Sequence, residues 1–242
     1  MNIYQKIINS RFFWFLQGLP DFHRAYALFA IRRHTMTSAR RSKLLWQLCK
    51  QVLKNQITGD FVECGVWRGG SAGLMGLALQ RFDHNHKKKL HLFDSFEGLP
   101  QPSIADGVLA SEYSGGANSG LLASIHQCVA DLNDVQSFIF NELKLSKNLV
   151  TFNKGWFQDT VPKVGKEVEN ISLLRLDGDW YESTKICLEG FYDRIPRGGV
   201  ILLDDYFCWE GCKKATDNFR SKHRILSEII QIDRDSAYWV KH

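Results

Sequence analysis

The chain has 242 residues, 44% of them hydrophobic, enough for one sizeable core, and no compositional break marks a second domain. The formal net charge is +5, but Lys and Arg are dispersed; the densest run, HKKK at 86–89, reads as a solvated loop before a strand, so nucleic acid is not the expected partner. Six cysteines form no CxxC pair, which argues against both a four-cysteine zinc site and a disulfide scaffold and for reduced thiols in the cytoplasm.

Near the N-terminus, IINSRFFWFLQGLP is apolar but broken by Asn9, Ser10 and Arg11. That falls well short of the ~20 apolar residues of a membrane span, and no small-residue cleavage site follows. The expectation is a helix that packs on the core or on another subunit. Residues 1–34 are therefore read as a helical extension, a route to a homo-oligomer, and residues 35–242 as the domain proper.

TSARRSKLLWQLCKQVLKN has cap residues Thr37 and Ser38, then Leu44, Leu45, Leu48 and Val52 at helical spacing. DFVECGV reads as a strand, GGSAGLMGLALQRF as a helix starting at glycines, and KLHLFD as a second strand. From Ser95 to Gly120 the chain is rich in Gly, Ser and Pro without clear periodicity; loops this long inside compact domains are usually functional or mobile. GLLASIHQCVADLN and DVQSFIFNELKL are expected to be helical, NLVTFN a strand, and DTVPKVGKEV a short helix or loop. ISLLRLD, GGVILLDD and the helices over YESTKICLEGFYDRI and EGCKKATDNFRSK follow, and SEIIQID and AYWVKH close as an antiparallel hairpin. Continuous apolar strands alternating with helices predict an α/β fold, a mostly parallel sheet covered on both faces.

Four of these strands stop at an acid: Glu63, Asp94, Asp177 and Asp204. Parallel strands share a direction, so their carboxyl ends lie on one edge of the sheet, where open α/β folds bind ligands. Acids crowded together without compensation raise a pKa or require a cation. Glu63 precedes Gly65, Gly69 and Gly70, which can turn the chain tightly and present backbone N–H groups at a helix N-terminus. Asp94 ends the next strand, where an acid accepts ribose hydroxyls in dinucleotide-binding folds. ECGVWRGG departs from GxGxxG, and an acid aimed at the turn would repel a pyrophosphate, so a cationic ligand fits better. Asp177, Asp204 and Asp205 are three hard oxygen donors without His or Cys, which favours Mg²⁺ or a similar divalent ion. DGD alone is also compatible with a turn or with a metal-mediated nucleotide-sugar site.

The stretches MTSARR, GDFVECGVWRGGS, LFDSFEGLP, KGWFQDTVP, LLRLDGDWYEST, GGVILLDDY and IDRDSAYWVKH, in that order from about Thr35 onward, resemble the macrocin O-methyltransferase (TylF/MycF) family of metal-dependent sugar methyltransferases. The resemblance implies a class I, Rossmann-like methyltransferase fold with a seven-stranded sheet whose last strand is antiparallel. It implies S-adenosylmethionine as cofactor, with Glu63, Cys64, Gly65, Val66 and Trp67 along its methionine and ribose part. Asp94 would hold the ribose hydroxyls with Ser95 and Phe96 beside the adenosine, Gly155 and Trp156 would lie at the adenine, and Thr35 and Met36 would reach over from the N-terminal side. Asp177, Asp204 and Asp205 match the family's metal ligands. Cys64 replaces an expected Thr, and the loop PSIADGVLASEYSGGANSG matches poorly, which places acceptor choice there.

Several residues carry two readings. Trp67, Trp156 and Phe96 are core aromatics or ligand contacts; Glu182 and Ser183 cap a helix or touch the acceptor; Arg68 binds the cofactor carboxylate or sits in solvent. Asp179 is the base or orders the turn, and with Asp177 it forms the expected catalytic pair. The expected reaction is Mg²⁺-dependent methyl transfer to a hydroxyl of a small-molecule glycoside or glycan, on a vicinal diol. A catechol-like diol, a cofactor-binding module in a glycan-assembly complex, and a nicotinamide dehydrogenase are the alternatives; the last leaves the DGD and DD acids without a role.

Overall fold

The computed structural model describes residues 21–85 and 87–242; the expected packing helix before residue 21, and an oligomer contact through it, lie outside the described residues. The chain runs α1 (Phe22–Ile31), α2 (Ala39–Lys54), β1 (Asp60–Cys64), α3 (Gly70–Phe82), β2 (Leu90–Asp94), α4 (Gly107–Tyr113), α5 (Leu132–Ser137), β3 (Val150–Lys154), α6 (Phe157–Lys163), β4 (Ile171–Leu176), α7 (Tyr181–Phe191), β5 (Val200–Leu203), α8 (Glu210–Lys222), β6 (Ile230–Gln231) and β7 (Ala237–Val240).

The strands form a seven-stranded sheet in the order β3-β2-β1-β4-β5-β7-β6. β1 to β5 are mutually parallel, and β7 runs antiparallel to both neighbours, β5 and β6. The doubly covered α/β sheet and its terminal antiparallel hairpin are thus as expected. Every residue of β4 and β5 is buried, because helices cover both faces and leave no polar side to alternate with. One apolar layer holds Leu28, Trp46, Met75, Leu92 and Phe138; the other holds Phe93, Leu174, Phe191 and Trp239. Ala27, Leu28 and Ile31 of α1 belong to the first layer, so this helix is built into the core. None of the described helices is long and apolar enough to cross a membrane.

Two expectations between β2 and β3 fail. Residues 120–131, read as helical, form turns and extended chain: Leu99 N–H donates to Gln127 O at 3.0 Å and Ile125 N–H to Leu99 O at 2.9 Å. His126 and Cys128 adopt left-handed φ of 58° and 57°, which no helix tolerates. Apolar residues at helical spacing misled here because Leu121, Leu122 and Val129 are exposed rather than buried on a core face. Helix begins only at α5, where Asp131 Oδ1 accepts the N–H of Asn133 at 2.7 Å. Conversely, the loop without periodicity contains α4, set against the α8 N-terminus so closely that a Cβ on Gly107 would lie on the Glu210 carboxylate.

Candidate active site

The carboxyl ends of β1, β2, β4 and β5 meet at one cavity. Its floor starts at the glycine turn after β1. Gly65 has φ +89°, and a Cβ there would lie 1.9 Å from the carbonyl oxygen of Asp177; only glycine lets the ends of β1 and β4 approach this closely. Asp94, ending β2, fastens the turn: Oδ2 accepts the N–H groups of Val66 at 2.6 Å and Trp67 at 3.0 Å, and Oδ1 accepts that of Phe96 at 2.6 Å. Burial raises the Asp94 carboxyl above its ordinary value, against the pull of these three donors. Gly70 N–H donates to His34 O at 2.9 Å, which seats Thr35 and Met36 at the cavity wall.

Beside this turn lies a buried ionic network. Arg175, the second-last residue of β4, pairs across the register with Glu63 of β1. Its Nη1 donates to Glu63 Oε1 at 2.8 Å and its Nη2 to Asp177 Oδ2 at 2.9 Å, while Nη2 lies 2.8 Å from Asp204 Oδ1 without hydrogen-bond alignment. Arg41 of α2 meets Asp204 from the other side, Nη1 donating to Oδ2 at 2.6 Å, and also holds Asp233 Oδ2 at 3.1 Å and Asp235 Oδ2 at 3.2 Å. Burial lifts Glu63 to about 8 despite Arg175.

Asp177, Asp179 and Asp205 each bring a carboxylate oxygen within 4.8 Å of the others. Burial, then the neighbouring Asp204 charge, raises Asp177; burial and the Asp177 charge push Asp179 up to about 8; burial and the Asp179 charge raise Asp205 well above the carboxylate range. Asp179 occupies a rare backbone state: its φ is +54°, and Trp180 N–H donates to Gly178 O at 2.5 Å across it, closing a three-residue turn. Such turns are strained by about 1–3 kcal/mol and persist where surrounding contacts over-determine them. Three buried carboxylate oxygens, Glu63 Oε2, Asp204 Oδ1 and Asp205 Oδ2, accept no hydrogen bond among the described residues. An all-oxygen cluster with orphaned acceptors fits a hard divalent cation.

Of the expected site residues, Thr35, Met36, Gly65, Val66, Trp67, Asp94, Ser95, Trp156, Asp177, Asp179, Ser183, Asp204 and Asp205 line this one cavity. Glu63 and Cys64 do not: both are buried beneath the turn. Phe96 packs on Phe152 at 6.4 Å between ring centres, Gly155 donates its N–H to Asp94 O, and Glu182 pairs with Lys185. Arg68 lies against the Trp67 ring. Among the three expected metal ligands, Asp204 is held by two guanidinium groups, and Asp179 joins Asp177 and Asp205 in the cluster of oxygens within 4.8 Å. Arg175 and Arg41 were missed. A basic residue inside an apolar strand, LLRLD, is a legible signal, since a buried charge needs partners; Arg41, one turn into an amphipathic helix, gives none.

Residues 29–241 match the family model described as macrocin-O-methyltransferase (TylF). The chain is 35% identical over 206 residues to the demethyldecarbamoylnovobiocin O-methyltransferase of Streptomyces niveus, covering 85% of this chain and 75% of that one. It is 32% identical over 209 residues to the mycinamicin III 3''-O-methyltransferase of Micromonospora griseorubida, covering 85% and 78%. The solved structure of the O-methyltransferase NovP superposes with a TM-score of 0.72 at 35% identity, covering 86% of this chain and 82% of that one. The calicheamicin methyltransferase CalS11, 19% identical with a TM-score of 0.66 over 99% and 93% of the two chains, shares the fold. Sequence and architecture agree: the chain belongs to the macrocin-O-methyltransferase (TylF) family, a family of O-methyltransferase enzymes.

Proposed function

We propose that the protein methylates a hydroxyl of a sugar or sugar-containing vicinal diol, with S-adenosylmethionine as donor and Mg²⁺ or a similar divalent cation as the metal. The observation that carries this reading is the convergence, in one cavity, of the glycine turn fastened by Asp94 with the acidic cluster Asp177, Asp179 and Asp205. A relative from Streptomyces olivaceus, 34% identical over 206 residues and named as an 8-demethyl-8-(2,3-dimethoxy-alpha-L-rhamnosyl)-tetracenomycin-C 4'-O-methyltransferase, supports the sugar through the rhamnosyl group in its name.

S-Adenosylmethionine supplies an electrophilic methyl carbon on a sulfonium, and the cation supplies a Lewis acid that makes a coordinated hydroxyl easier to deprotonate. The chain's residues do the rest. The turn from Gly65 to Trp67 and the wall at Thr35, Met36 and Trp156 hold the donor. Asp177, Asp204 and Asp205 would hold the metal. Arg41 and Arg175 fix the Asp204 carboxylate in place. Asp179 is the base: Oδ1 accepts the indole N–H of Trp209 at 2.9 Å, and Oδ2, with no protein donor among the described residues, takes the proton of the reacting hydroxyl. Ser183, in the first turn of α7 and on the cavity wall, orients the acceptor. Holding hydroxyl and methyl donor in line supplies much of the rate.

The test combines calorimetric titration of Mg²⁺ and of S-adenosylhomocysteine with methyl-transfer assays on a panel of glycosides and catechols, each with an EDTA control. Asp177→Asn should abolish Mg²⁺ binding and Mg²⁺-dependent transfer and leave S-adenosylhomocysteine affinity within a few-fold. Normal methylation by that variant would refute the metal assignment, and turnover of catechols alone would refute the sugar.

A further inference from the structure

Trp209 performs a task that the metal and cofactor readings leave unassigned. It follows Asp204 and Asp205 on the turn out of β5 and precedes α8, its own N–H donating to Asp205 O at 3.1 Å. Its indole N–H crosses to the end of β4 and donates to Asp179 Oδ1 at 2.9 Å. The ring is clamped on two sides: Trp180 meets it edge-on at 5.0 Å and 67°, and Tyr113 of α4 at 5.4 Å and 60°. Trp180 is itself buried, and its Nε1–H donates to Pro100 O at 2.9 Å. The brace thus ties together the ends of β4 and β5 and the excursion between β2 and β3.

Asp179 needs such a brace. Its φ of +54° and the turn closed across it are unfavourable for a residue with a side chain, and the carboxylates of Asp177 and Asp205 lie within 4.8 Å and repel it. A free Asp179 side chain would rotate towards solvent. An indole suits the opposite task, because it only donates, cannot ionise, and in a T-shaped stack has little freedom to move. Trp209 is half-buried, and its indole N–H spends its one donor on Asp179.

We propose that Trp209 is a positioning residue for Asp179: it fixes one carboxylate oxygen so that the other faces the reacting hydroxyl, and Tyr113 transmits the placement of α4 to it. The proposal rests on Asp179 being the base.

Two measurements test it on the full chain. In ¹⁵N–¹H spectra, the Trp209 indole signal, assigned by its loss in Trp209→Phe, should move in Asp179→Asn and in Tyr113→Ala. No movement in Asp179→Asn overturns the proposal without needing an acceptor. In steady-state kinetics with the best glycoside of the panel, Trp209→Phe, which keeps an aromatic ring and loses the N–H, should lower kcat on the order of ten- to a hundredfold with KM within about twofold. In an Asp179→Asn background the same substitution should change kcat by less than about twofold, because the group it positions is gone. A purely structural tryptophan would give the same factor in both backgrounds, which overturns the proposal. The two readings separate cleanly. If Asp179→Asn retains wild-type kcat, the base reading falls and the proposal with it; if Asp179→Asn is slow and Trp209→Phe is not, only the proposal falls.

Discussion

Removing the guanidinium of Arg175 should destabilise the protein far more than a substitution on its surface, and by an amount that depends on pH. The side chain is 3% exposed and sits within 2.9 Å of oxygens from Glu63, Asp177 and Asp204. Arg175→Met keeps an unbranched side chain in β4 and strands those carboxylates in a buried setting. Breaking a buried ion pair by removing one partner costs about 3–5 kcal/mol, which for a chain of this length is a fall in Tm of about 6–20 °C. Wild-type Glu63 is already raised to about 8 by burial with Arg175 opposing, and without the cation it moves further up. A carboxyl whose folded-state pKa exceeds its unfolded value binds more protons when folded, so its contribution to stability falls as pH rises through that window. The deficit of Arg175→Met should therefore be larger at pH 8 than at pH 5. Urea denaturation followed by far-UV circular dichroism at both pH values checks this. The double variant Arg175→Met/Glu63→Leu, which removes the most buried of the stranded acids, should recover part of the loss. A single variant within about 0.5 kcal/mol of wild type at pH 8, or a deficit equal at the two pH values, would refute the account of the network.

Two further outcomes follow from the geometry. Gly65→Ala combines a φ of +89° with a Cβ 1.9 Å from the Asp177 carbonyl oxygen; it should lower stability by about 1–3 kcal/mol and weaken S-adenosylhomocysteine binding at least about tenfold, read by calorimetry. Against the effect of burial, hydrogen bonds from Arg41 and Ser236 hold the Asp233 carboxyl well below its ordinary value. A depressed folded-state pKa gives stability that is present above the unfolded value of 3.8 and lost as pH falls below it. The Tm gap between wild type and Asp233→Asn should accordingly be widest near pH 6 and shrink steadily below about pH 4.

The order of amino acids makes the layered α/β architecture legible, because its apolar runs are continuous where helices cover both sheet faces. It also placed Asp94, Asp177, Asp204 and Asp205 at one edge, because parallel strands share a direction and each apolar run ends in an acid. Gly65 was legible as the turn, since an acid followed by spaced glycines points to a tight approach of backbone. Only the tertiary contacts show how those acids are partnered. Register sets Glu63 beside Arg175 across β1 and β4, a helix remote in sequence delivers Arg41 to Asp204, and the turn after β4 brings Asp179 within 4.8 Å of Asp177 and Asp205. The chain between β2 and β3 was misread for the same reason in reverse. Its helical spacing of apolar residues was real, but residues 120–131 have no core face to bury them against, and contacts with Leu99 draw them out as extended chain. Periodicity records what a segment can bury; only the fold supplies the surface it is buried on.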